Sequence, residues 1–204
     1  MNLSERHNLL SQYLPEMALP YCVELWHHYQ FEFRLSKKRT TKLGDYRFDL
    51  RSGMHFVSVN KDLNQYNFLI TYIHEIAHCV NVIENGRKVS PHGIEWKNAF
   101  RNLMIPLLNP DIFPDDILRP LARHMKNPKA SSQSDKHLVL ALRKYDPKDD
   151  STLLLDVPDG VSFKLKEREF KKLQVRRSRV LCLEKCSGRN YLISGIATVD
   201  LLDR

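Results

Sequence analysis

The spacing of apolar side chains changes along this chain, and each spacing predicts a different element. Residues 4–30 have a helical pattern, with Pro20 in the first turn of a second helix. The segment "FEFRLS" (31–36) alternates apolar and polar residues, which is typical of a half-buried strand. Two further strands are predicted at "YRFDL" (46–50) and "MHFVSV" (54–59), around a Ser-Gly turn.

From about Asn64 the apolar period becomes that of a long helix. Its stripe recurs at i, i+4, i+7 and i+11, and is formed by Leu69, Ile73, Ile76 and Val80. Asn85 and Gly86 are stop signals for this helix. Two more helices are predicted, at "HGIEWKNAFRNLM" (92–104) and "PDDILRPLARHM" (114–125).

The second part of the chain has a different character. Residues 126–135, "KNPKASSQSD", are small and polar and predict a linker. The runs beyond it are short, apolar and separated by turn signals, and each predicts a strand: "HLVLALRKY", "STLLLDV", "VSFKL", "RRSRVLCLE" and "NYLISGIATVDLL". We therefore expect an α+β domain over 1–125, a linker over 126–135, and a small β-rich domain over 136–204.

The composition indicates in which cellular environment the protein is expected. Of 204 residues, 42% are hydrophobic and 27% charged, which suits a packed core with an ordinary soluble surface. Nothing approaches the roughly 18 consecutive apolar residues of a membrane span, and the N-terminus does not have the pattern of a signal peptide. The four cysteines are scattered without a secreted-type framework, so we expect an intracellular, reducing location, with association with the nucleoid or nucleus as an option.

The charge is basic and locally concentrated. The formal net charge is +8, which favours an anionic partner such as nucleic acid. Residues 34–51 hold seven basic residues against two acidic ones, and residues 164–179 hold eight against two. We expect these two basic clusters to contact DNA, although charged hairpin edges that discourage sheet pairing would also produce them.

The segment "TYIHEIAHCV" (71–80) carries the strongest chemical signal. In a helix, His74 and His78 lie one turn apart on the same face, where both imidazoles can bind one zinc ion. Glu75 lies beside them and can take a proton from zinc-bound water as a general base. Two histidines and a glutamate on a largely apolar helix are costly unless something pairs with them, which favours a metal site over ordinary surface histidines.

A catalytic zinc ion needs a third protein ligand and keeps its fourth position for water. Glu84 follows His78 by six residues, where one class of HExxH proteases has a histidine, but the glycine of that pattern is absent. Glu95 lies on the next predicted helix. His92 opens that helix directly before Gly93, and we favour it as the third ligand.

The residues "HEIAH" followed by "HGIEW" resemble the SprT-like metalloprotease family, which includes the Spartan proteases of DNA–protein crosslink repair. The preceding "RTTKLGDYRFD", "HFVSVN" and "NFLITYIHEIAH" are also similar to that family, so the resemblance covers roughly residues 10–110. It implies a zincin-like protease core, zinc ligands His74, His78 and His92, and Glu75 as general base. It also implies proteolysis of DNA-bound proteins, stimulated by DNA.

The resemblance fails in the tail. Many SprT-like proteins end in a four-cysteine zinc ribbon, whereas this tail offers only Cys182 and Cys186, with His137 as a conceivable third ligand. We expect the two cysteines to be ordinary hairpin residues of a degenerate, ribbon-like domain.

Two function classes follow. One is a zinc peptidase acting on DNA-associated proteins. The other is a non-catalytic nucleic-acid-binding protein whose zinc only holds the fold. A structural site has no need of Glu75 and would add a fourth protein ligand.

Overall fold

The long helix predicted from residue 64 organises the first half of the fold. The computed structural model describes residues 1–39, 41–131, 134–147, 152–177 and 179–202. In it this helix spans Gln65–Asn85 and is α3. The other helices are α1 Leu3–Leu10, α2 Leu19–Tyr29, α4 Ile94–Met104, α5 Asp115–Lys126 and α6 Lys136–Arg143.

The fold is mixed α and β, and the chain divides into two compact units, Met1–Asp146 and Pro147–Arg204. This division lies beyond the linker predicted at 126–135, of which residues 132–133 lie outside the described residues. Residues 136–146 therefore belong to the first unit. Each unit has its own hydrophobic core.

A three-stranded sheet lies against α3 in the first unit. Its strands are β1 Glu32–Ser36, β2 Gly44–Phe48 and β3 His55–Asn60, and their order is β1-β3-β2. β1 is parallel to β3, whereas β2 is antiparallel to it. The three strands agree with the predicted ones to within two residues at each end. β2 lies at the edge of this sheet, so no strand of the described residues pairs with the side of its backbone that faces away from β3.

The core of the first unit forms because the apolar stripe of α3 contacts both the sheet and α4. Buried aromatic rings fill the space between them, and neighbouring rings meet edge-on or stacked at centroid distances of 5–6.5 Å. The largest fully buried side chains of this core include Phe68, Tyr72, Ile76, Trp96, Phe100 and Phe113. Among the described residues, no helix is long and apolar enough to cross a membrane.

The prediction of a strand at "HLVLALRKY" was wrong, because this run forms α6. Its apolar residues fit either period, but Leu138, Ala141 and Leu142 are buried at helical spacing. The Asp135 carboxylate accepts hydrogen bonds from the backbone N–H groups of His137 (3.2 Å) and Leu138 (3.4 Å). Such an N-cap favours a helix. It therefore favours the helical period in a run whose apolar residues also fit a strand.

The second unit contains a six-stranded sheet, in the part of the chain where the sequence predicted short strands. Its strands are β4 Thr152–Leu153, β5 Ser162–Leu165, β6 Arg168–Arg176, β7 Arg179–Glu184, β8 Asn190–Ser194 and β9 Thr198–Leu201. The spatial order is β4-β9-β5-β6-β7-β8. The N–H of Leu155, just after β4, donates to the carbonyl of Gly195, just after β8, at 2.9 Å. This bond extends the pairing of β4 with β9 into the connection between β8 and β9.

One inward position of that sheet is a lysine. Lys172 on β6 is only 3% exposed. Its ammonium group donates to the carbonyl oxygens of Leu155 (3.0 Å) and Val157 (2.5 Å) and lies 3.6 Å from an Asp159 carboxylate oxygen. A buried charge is tolerated when it is hydrogen-bonded in this way, so this lysine fastens the turn after β4.

Candidate metal centre

The two ends of α3 are fixed by residues that the sequence identified. The Asn64 side chain accepts hydrogen bonds from the N–H groups of Tyr66 (3.1 Å) and Asn67 (3.0 Å), which makes it the N-cap. Gly86, with φ of 73°, ends the helix at Asn85. Between these ends the buried stripe faces the core, and His74 and His78 project from an adjoining face.

Three histidines converge, as predicted. Candidate ligand atoms of His74, His78 and His92 all lie within 4.8 Å of one another. The His92 ring centroid is 5.5 Å from that of His74 and 4.6 Å from that of His78. Within this span, no fourth cysteine, histidine or carboxylate from the described residues joins them. The three side chains are therefore close enough to bind one metal ion.

The donor atoms suit zinc. The Nε2 atoms of His74 and His78 are 3.3 Å apart, and two nitrogens bound to a tetrahedral zinc ion at about 2.05 Å would stand about 3.3 Å apart. The Nε2 atom of His92 is buried and has no hydrogen-bond partner. Buried polar atoms are rarely left unpaired, and a metal ion would satisfy this one.

An aromatic wall lies behind the three imidazoles. Trp96 on α4 is fully buried, and its ring centroid is 4.7 Å from His74, 5.3 Å from His78 and 4.7 Å from His92. Phe100 stacks on Trp96 at 5.2 Å and also meets the His74 ring edge-on at 5.5 Å. The wall restricts the rotamers of the imidazoles.

Burial keeps the imidazoles neutral, which is the form that binds metal. The pKa of His74 is held well below its usual value by burial, and His78 and His92 lower it further. Burial, with a smaller contribution from His92, lowers the pKa of His78 to about 3. Burial also lowers the pKa of His92. Protons therefore compete weakly for these three nitrogens at neutral pH.

Glu75 lies on the same helix and contacts β2. It is 7% exposed, and burial raises its pKa to about 8, with the Asp45 carboxylate adding to the rise and Arg39 and Lys42 opposing it. A Cβ atom on Gly44 would lie 2.5 Å from Oε1 of Glu75 and 2.8 Å from Cγ2 of Thr71. Only glycine therefore allows β2 to pass this close to the carboxylate.

The histidines and Glu75 line an open cleft of about 700 Å³. Gly44 and Tyr46 of β2 line it on one side, and Arg87, Val89 and Pro91 of the connection after α3 also contribute. The Tyr46 ring is nearly parallel to that of His78, with centroids 6.0 Å apart, and its hydroxyl is 2.8 Å from Nδ1 of His55. This tyrosine–histidine pair had no signal in the sequence, because it depends on strand register.

The two other candidates for third ligand lie elsewhere. Glu84 and Glu95 both line a second groove of about 270 Å³, together with Tyr29, Val80 and Leu103. Neither belongs to the histidine group. The structure thus brings together His92, rather than either glutamate, with His74 and His78. In the tail, Cys182 is buried and Cys186 is exposed, and neither joins a group of three potential ligands among the described residues.

A further histidine is buried outside the group of three. The side chain of His124 is only 1% exposed, and its Nδ1 lies 3.2 Å from an Asp135 carboxylate oxygen. Burial lowers its pKa, although the Asp135 carboxylate opposes this effect. Its Nε2 atom is buried without a partner. The pair connects α5 with the N-cap of α6.

The two basic clusters lie in different units of the chain. In residues 34–51, the Arg34 and Arg47 guanidinium carbons lie 5.5 and 4.4 Å from the Phe56 ring centroid, on the face of the sheet opposite α3. In residues 164–179, Arg176 and Arg179 are exposed at the β6–β7 turn, and Ser178 lies outside the described residues. From the sequence, the residues of β6 were identified only as part of a basic cluster, and the strand itself was not predicted.

Comparison with known proteins gave no match to any family model, curated protein or solved structure.

Proposed function

We propose that this protein is a zinc-dependent peptidase of the SprT-like type, with a zincin-like core in its first unit. The convergence of His74, His78 and His92 beside Glu75, in a cleft bordered by a free strand edge, carries this proposal. The three histidines hold the metal. Zinc bound there supplies Lewis-acid polarisation of a peptide carbonyl and of water.

Glu75 is the general base of the proposed reaction. Its carboxylate accepts a proton from the attacking water and then delivers it to the leaving amine. Without metal, burial raises the pKa of Glu75 to about 8, so most of this carboxyl group is protonated at neutral pH. A nearby zinc charge lowers that pKa, so the ionised base is available at neutral pH.

The free edge of β2 suits an extended polypeptide. The backbone bonds Asn60 N–H to Leu43 C=O (2.8 Å) and Asp49 N–H to Met54 C=O (2.9 Å) fix the alternation of this antiparallel pair. By that alternation, Gly44, Tyr46 and Phe48 direct their N–H and C=O groups away from β3. A substrate strand can add to this edge, which would place its scissile bond beside the histidines.

The alternative is a non-catalytic nucleic-acid-binding protein with a structural zinc. Structural zinc sites are usually closed by four protein ligands, whereas three side chains meet here among the described residues. A buried glutamate beside the ligands, reached through an open cleft, has no role in such a site. Both observations favour the enzyme.

Zinc content and cleavage test the proposal together. Purified protein should hold about one zinc per chain and cleave an unfolded polypeptide. We expect His92→Ala to lose most of the zinc, because the site keeps only two ligands. Glu75→Gln should keep the zinc but lose cleavage. Glu84→Gln, an exposed glutamate on the same helix, is the matched control and should change neither.

Two results would contradict the assignment. Full zinc retention by His92→Ala would exclude that ligand, and unchanged cleavage by Glu75→Gln would exclude that base. If the wild-type protein binds zinc but cleaves nothing, with or without DNA, the structural-zinc alternative is favoured.

We further propose that the peptidase acts inside the cell on DNA-associated proteins, with both basic clusters contacting phosphates. DNA binding should weaken steeply with salt. Charge reversal of Arg176, Arg177 and Arg179 should lower it, whereas reversal of Arg119, Arg123 and Lys126, three exposed cations of α5 outside the clusters, should have a smaller effect. Salt-independent binding, or equal effects of the two triple variants, would remove the support for this contact.

A further inference from the structure

The connection between α3 and α4, residues 86–93, carries a cation as well as the third histidine. Arg87 directly follows Gly86, the C-cap of α3, and its guanidinium carbon lies 5.7 Å from the ring centroid of Phe48 at the end of β2. This cation–π contact joins the end of the helix to the edge strand. It holds an exposed arginine at one end of the cleft that His92 and Glu75 also line.

The charge environment of Arg87 differs from that of the other cation in the cleft. Among the described residues, Arg87 forms no ion pair with a carboxylate. The other cation lining the cleft, Lys42, lies 2.7 Å from an Asp45 carboxylate oxygen. The remaining carboxylate of the cleft, Glu75, is buried against Gly44 and Thr71. Arg87 is thus the cation of this cleft that is available to a bound chain.

The position of Arg87 along β2 sets which part of a substrate it meets. Tyr46 marks the centre of the site, because its ring stacks on His78. Phe48, which holds Arg87, lies two residues further along the same strand, and two residues of extended chain cover about 6.6 Å. A substrate strand paired with β2 therefore passes Arg87 two or three residues from its scissile bond.

We propose that Arg87 is a specificity-determining residue that selects an acidic side chain, aspartate or glutamate, two or three residues from the scissile bond. This inference rests on the proposed peptidase function. A guanidinium presents a fork of N–H donors that matches a carboxylate. Because Arg87 is exposed, we expect a two- to fivefold preference, of the order that exposed ion pairs give.

A DNA phosphate is the competing anion for Arg87. The contact with Phe48 places the guanidinium on the strand edge within the peptide cleft, whereas the basic cluster of residues 34–51 offers Arg34 and Arg47 on the opposite face of the sheet. A carboxylate on the substrate polypeptide is therefore the better match.

The test is cleavage of a complex peptide library, derived from a digested proteome, by the zinc-loaded protein, with cleavage sites identified by mass spectrometry. The variants are Arg87→Gln, Arg87→Glu and, as a matched control, Lys88→Glu, an adjacent exposed cation that does not line the cleft. Zinc content, the thermal midpoint and DNA affinity are measured for each variant.

We expect the wild type to enrich acidic residues two- to fivefold at one position, two or three residues from the cleaved bond. Arg87→Gln should remove this preference, Arg87→Glu should replace it with lysine and arginine, and Lys88→Glu should preserve it. Cleavage without an acidic preference, or an acidic preference that survives Arg87→Glu, would overturn the inference alone. So would an Arg87→Glu variant that loses DNA affinity while its peptide preference is unchanged. The absence of any cleavage by the wild type would overturn the proposed function as well.

Discussion

Gly44→Ala tests how Glu75 is positioned. The added Cβ would lie 2.5 Å from Oε1 and 2.7 Å from Cγ of Glu75, and 2.8 Å from Cγ2 of Thr71, whereas ordinary contacts begin near 3.4 Å. The carboxylate or the strand must therefore move by close to 1 Å. Overpacking of this kind costs about 1–3 kcal/mol of unfolding free energy. A displacement of about 1 Å at a reacting group lowers the rate roughly 100-fold.

Zinc content, chemical unfolding and kcat on one peptide are the measurements. We expect about one zinc per chain in Gly44→Ala, because the three atoms nearest the new Cβ belong to Glu75 and Thr71 and not to a histidine. Gly53→Ala is the matched control. Nothing lies within 4 Å of its Cβ, but its φ of 68° is unfavourable for alanine, so it should lower stability and leave kcat unchanged. Wild-type stability and kcat in Gly44→Ala would refute the proposed contact between β2 and Glu75.

Two further predictions concern pH and the second unit. In metal-free protein the folded pKa values of His74, His78 and His92 lie below the usual 6.5, so the stability present above pH 6.5 should be lost as the pH falls towards 3. Each histidine that stays neutral contributes about 1.4 kcal/mol per pH unit to this loss. Urea unfolding of wild type and His78→Gln at several pH values, with a chelator present, measures it. Identical slopes of unfolding free energy against pH in the two proteins would contradict the prediction. Lys172→Met should destabilise the second unit by about 1–3 kcal/mol, because two buried carbonyls lose their donor, whereas the exposed Lys171→Met should change its urea midpoint little.

The proximity of His74 and His78 was predictable because their spacing is local. Two histidines four residues apart in a strongly apolar helix meet wherever that helix packs. His92 was favoured because it opens the next helix beside a glycine, and it is the third histidine of the group. The glutamate alternatives were plausible by sequence distance alone. Glu84 lies on α3 itself, six residues after His78 and so about 120° around the helix from it. Glu95 lies on α4, and both glutamates line the second groove.

Predictions were wrong or missing where one sequence pattern fits both the helix and the strand period, or where a contact joins residues far apart in the sequence. The run at 137–145 satisfies helix and strand alike, and its N-cap Asp135 fell inside what was read as a linker. The roles of Gly44 and Tyr46 depend on which strand lies beside α3, and no local period encodes this. Lys172 sits at an inward strand position, so its charge concealed the alternation of β6.

The unpaired edge of β2 also bears on the colloidal behaviour of the protein. Exposed strand edges recruit other strands, and proteins usually protect them with proline, a bulge or a covering segment. If this edge accepts substrate, as proposed, it has to forgo these protections. Among the described residues, Asp45 and Arg47 on β2 and Lys42 just before it provide charges that discourage pairing with a second chain. Aggregation should therefore increase when salt screens these charges, so that openness to substrate carries a cost in solubility.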